Sequence, residues 1–129
     1  MGFIDIFYNE INRIRDKDSS NEEKKIMIKK ALSKILTKFK FLWEDQILTG
    51  IYKRDQINPL FESLSEEFLN LAIEVEDILN DDKISNDLRT ISKNFRMASK
   101  RPIVMGGYFK NPIPREIGEN LTLMEKIKE

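Results

Sequence analysis

Arg89, Lys93, Arg96 and Lys100 recur at spacings of four, three and four residues, which on an α-helix stacks their cations along one narrow arc. Such a single-sign ridge offers charge-assisted donors to phosphate oxygens or carboxylates. Arg101 continues the ridge, and Tyr108 and Phe109, beside Lys110, have the character of aromatic anchors for the same partner. The arc is centred almost opposite the apolar positions Ile84, Leu88, Ile91, Phe95 and Ala98, so the cations are expected to point outward. The expected partner is an acidic protein surface or a nucleic-acid backbone. Sequence-specific base reading is not expected, because there is no helix-turn-helix signature and no pair of aromatics forming a stacking platform.

Most catalytic chemistries lack their residues here. The chain has no histidine and no cysteine, which removes imidazole acid–base catalysis, thiol nucleophiles and disulfides. Ser85, Ser92 and Ser99 have no base to activate them, and Gly106-Gly107 lacks the lysine and strand of a phosphate loop. No cofactor is implied. The one acidic constellation is Glu74-Val-Glu-Asp77, whose Glu74 and Asp77 share a helix side and have the character of Mg²⁺ ligands. That E-x-x-D element resembles half of the acidic pattern of all-α nucleoside triphosphate pyrophosphohydrolases. The preceding helix of that family carries E-x-x-E, where this chain has Glu44 and Asp45. The resemblance spans four residues and implies, as the alternative function, a divalent-metal-dependent hydrolase.

Charge is segregated along the chain. Residues 59–82 hold eight carboxylates and no Lys or Arg, while residues 83–115 hold eight cations and one acid, Asp87. A formal net charge of zero thus conceals a polarised surface, and it removes any argument from global basicity to nucleic acid. Two readings follow. Neighbouring acidic and basic helices complement one another internally, or the ridge is kept for a partner. The lysines at residues 24–40 are scattered around their helix axis and read as solubilising charge.

Helices must position these groups. Between residues 3 and 101 the chain has one glycine, Gly50, and one proline, Pro59, so helices joined by short turns are expected. The first carries Phe3, Ile4, Phe7, Ile11 and Ile14 on one face. Ser20 with Glu23 forms a capping box for a second helix, expected to run to about Thr49 with Gly50 as its cap. Its far half is apolar around most of its circumference; Trp43 reads as core before interface, and the alternative is a homo-oligomer contact through Phe41, Trp43, Ile47 and Leu48. Asn58-Pro59 predicts the start of a third helix, and the turn at residues 80–83 predicts an antiparallel hairpin with the fourth.

The sequence therefore predicts an all-α, four-helix up-down bundle over residues 1–101. Residues 102–129 are expected to form an extended, Pro/Gly-punctuated segment and a short terminal helix from about Asn120, packed on the bundle or projecting from it. Functionally the expectation is a non-enzymatic interaction module, a small subunit or adaptor. No apolar run approaches the roughly 20 residues that span a bilayer, and the N-terminus does not read as a secretory signal, so a cytoplasmic, membrane-free protein is expected.

Overall fold

In the computed structural model, residues 5–47, 54–80, 83–100 and 115–128 are described. Among them the chain forms five α-helices and no strand: α1 (Asp5–Asp16), α2 (Asn21–Leu42), α3 (Arg54–Leu79), α4 (Lys83–Ser99) and α5 (Arg115–Lys128). A π-helical turn, Trp43–Ile47, continues α2. The protein is all-α.

The local signals explain several of these boundaries. The Ser20 hydroxyl accepts the Glu23 N–H at 3.2 Å, satisfying one of the orphan amides of α2. Asn80 takes a left-handed conformation with φ of 51° and donates its N–H to the Glu76 carbonyl at 2.8 Å, closing α3. Asparagine tolerates that conformation better than any β-branched residue would.

Three boundaries depart from expectation. The α3 helix begins at Arg54, so Pro59 lies inside it and Asn58 is not its cap. A proline this near the N-terminus removes only one intrahelical bond, and the buried Ile57 draws the extra turn into the core, in line with Phe61 and Leu64 further along. The α2 helix stops at Leu42, where the chain passes into the π turn. The terminal helix begins at Arg115 instead of Asn120 and buries Ile117, Met124 and Ile127, so tertiary packing stabilises a segment that would be marginal alone. The Gly50 cap and the segment at residues 101–114 lie outside the described residues.

One core joins the helices. Phe95 of α4 stands at its centre, with ring centroids 5.2 Å from Phe39, 5.8 Å from Phe61 and 5.6 Å from Phe68. The Phe39 contact is edge-on and the others tilted, arrangements that favour the ring quadrupoles. Buried polar groups fix the seams. Ser92 donates to the Ser65 carbonyl at 2.6 Å, leaving Ser65 Oγ to donate to Ser92 Oγ at 3.2 Å across the α3–α4 seam. In the α4–α5 seam, Asn94 Nδ2 donates to Asn120 Oδ1 at 3.0 Å, and Asn120 Nδ2 donates to the Ile91 carbonyl at 3.2 Å. Paired in this way, the amides favour one register of α5 on α4 over others.

Candidate basic interface on the fourth helix

The α4 helix is buried along Ile84, Ser85, Leu88, Ile91, Ser92, Asn94, Phe95 and Ala98. These positions sweep about half of its circumference and leave one solvent arc, on which the expected cations lie. Lys93, Arg96 and Lys100 are exposed, and none of the three makes an ion pair among the described residues.

Arg89 is different. Its Nη2 donates to Glu76 Oε2 on α3 at 2.7 Å, with both side chains about half exposed. The internal complementarity considered from the charge pattern therefore operates at the first position of the ridge and is not seen at the other three. An exposed pair of this kind contributes about 0–1 kcal/mol, so Arg89 is diverted rather than locked. Arg101, Tyr108 and Phe109 lie outside the described residues.

Lys93 also borders a groove of about 380 Å³ between α4 and α5, lined in addition by Thr90, Asn94, Met97, Arg115, Glu116 and Glu119. Arg115 is exposed and adds a cation from a second helix, while Glu119 adds an exposed carboxylate. The charge pattern alone does not reveal this neighbourhood, because it depends on α5 returning along α4. Met97, 47% exposed, supplies an apolar patch beside the cations.

The acidic constellation is occupied from within the chain. The Arg15 guanidinium of α1 donates from Nη2 to Glu74 and from Nη1 to Asp77. The negative charge that a divalent cation would neutralise is thus already met by a bidentate arginine, whose fork spans the two carboxylates and ties α1 to α3. Among the described residues, no group of three or more acidic side chains is arranged to hold a metal ion.

The suggested oligomer contact divides. Trp43 is 2% exposed and belongs to the core, which corrects its assignment to a contact surface, whereas Phe41 is 60% exposed. The Trp43 N–H is shared between the Phe39 and Lys40 carbonyls as the chain enters the π turn. The core consequently receives Phe39, Leu42 and Trp43, with Phe41 left in solvent. The side chains of Ile47 and Leu48 lie outside the described residues.

No family model, curated protein or solved structure matches this chain. Among the described residues, no helix is long and apolar enough to cross a membrane.

Proposed function

We propose that this chain is a non-enzymatic helical interaction module that engages an acidic partner through the outer face of α4, with Lys93, Arg96 and Lys100 as the primary contacts. Arg89 joins them when a partner oxyanion displaces Glu76, and Arg101, Tyr108 and Phe109 are further contacts expected from the sequence. The supporting observation is the exposure of three consecutive ridge cations without an intramolecular counter-charge among the described residues. The scaffold is read as an up-down bundle in which α4 is gripped on its inner side, so the ridge is presented on a rigid element.

The partner is read as an acidic protein surface or a nucleic-acid backbone. Contacts of this type are positional and sequence-independent, and they weaken steeply as salt rises. Fluorescence anisotropy with labelled single- and double-stranded nucleic acid and with an acidic polypeptide tests the reading. We expect saturable, salt-sensitive binding of at least one probe that Arg96→Glu/Lys100→Glu abolishes. Absence of binding to every probe at low salt removes the proposal.

A further inference from the structure

A second cationic centre lies where the N-terminal halves of α2 and α4 meet the C-terminal end of α5. There Lys25, Lys29, Lys83 and Lys126 line a cleft of about 200 Å³, together with Asp87 and the buried side chains of Ile84 and Ile127. The four lysines come from three helices and are far apart in the chain. Their convergence is a product of the fold, not of a basic run.

The charge balance of this cleft is unusual. Among the described residues, Asp87 is the single carboxylate that lines it, and Lys126 Nζ lies 3.6 Å from Asp87 Oδ1. Lys25 and Lys29 are half-buried, one helical turn apart, and neither makes an ion pair among the described residues. Like charges at that spacing repel and destabilise a helix. Partial burial strengthens the repulsion by lowering the local dielectric. An anion seated between the ammonium groups reverses the sign of these interactions.

We infer that this cleft is a binding site for a compact, multiply charged oxyanion of the pyrophosphate class. Lysine suits that chemistry because each ammonium is a point charge with three rotatable donors, able to follow oxygens in several directions. Size argues for a small anion or for the phosphate portion of a larger molecule, since pockets that enclose a whole drug-sized ligand run to about 300–1,000 Å³. Ile84 and Ile127 form an apolar floor that excludes water from one side and so strengthens the charge-assisted contacts. This site is distinct from the α4 ridge, because none of its lining residues belongs to the set Lys93, Arg96 and Lys100.

Isothermal titration calorimetry of the full chain with inorganic pyrophosphate tests the site, with sulfate at matched ionic strength as the screening control. The expected result is saturable one-to-one binding of pyrophosphate and little heat from sulfate. Lys25→Gln/Lys29→Gln should weaken binding about tenfold or more, and Lys126→Gln should weaken it less. Circular dichroism would confirm that each variant is folded. Arg96→Glu/Lys100→Glu should leave pyrophosphate binding unchanged, which separates failure at this site from failure at the ridge. A nucleoside diphosphate that binds more tightly than pyrophosphate supports the site and points to an esterified source. Tighter binding of pyrophosphate supports the site and points to the free anion. No saturable heat, equal heat from sulfate, or undiminished binding by the folded Lys25→Gln/Lys29→Gln variant would overturn the inference.

Discussion

On its inner side α4 presents Ile84, Leu88, Ile91, Phe95 and Ala98 to the core, whereas on its outer side Lys93, Arg96 and Lys100 stand in solvent. The inner face is over-determined. Three other phenylalanines surround Phe95, and Ser92 and the amide of Asn94 find hydrogen-bond partners on the adjacent helices. The outer face carries charge with little structural work to do. A helix arranged this way leaves its outer face free of packing demands, so changes on one side should scarcely disturb the other.

The most severe way to break that separation is Phe95→Ala. Truncating a fully buried ring at the centre of the aromatic cluster should cost about 3–5 kcal/mol, measured by urea denaturation. If the two faces are independent, any binding that remains in the folded fraction should keep its affinity. Asn120→Ala comes next. It leaves the buried Asn94 amide without its acceptor and takes the side-chain donor from the Ile91 carbonyl, and about 1–3 kcal/mol should be lost in the same assay.

Arg96→Glu/Lys100→Glu probes the other side. The unfolding free energy should change by no more than about 0.5 kcal/mol per substitution, while salt-sensitive binding disappears. A large loss of stability there would mean that the ridge is structural and would collapse the contrast. Gly118→Ala sharpens the comparison from the neighbouring helix. A Cβ at Gly118 meets nothing within 4 Å, so replacing this glycine in the first turn of α5 should stabilise the fold by up to about 1 kcal/mol. The smallest effect is expected for Arg89→Gln. Loss of the exposed pair with Glu76 should cost about 0–1 kcal/mol by thermal melt.

A comparable contrast separates the two basic clusters. The α4 ridge is legible in the sequence because its members share one helix and follow its period. The lysine cleft is not, because Lys25 and Lys29 taken within their own helix look like ordinary solubilising charge. Only the approach of α4 and α5 gives them Lys83 and Lys126 as neighbours. The surroundings of the acidic motif are hidden from the sequence for the same kind of reason. Nothing in Glu74-x-x-Asp77 indicates that Arg15, some 60 residues earlier in the chain, would lie across both carboxylates.

What the sequence determined by itself is what depends on neighbours a few residues away. The helical class, the Ser20 cap, the turn beginning at Asn80 and the opposition of apolar and cationic faces on α4 all follow from spacing and backbone preference. Tertiary structure alone decided the rest: the early start of α3 ahead of Pro59, the full length of α5, the pairing of Arg89 and Arg15, and the gathering of four lysines. Each of these turns on burial or on Coulomb interaction between groups distant in the chain. Those energies exist only once the helices are packed, so no local pattern carries them.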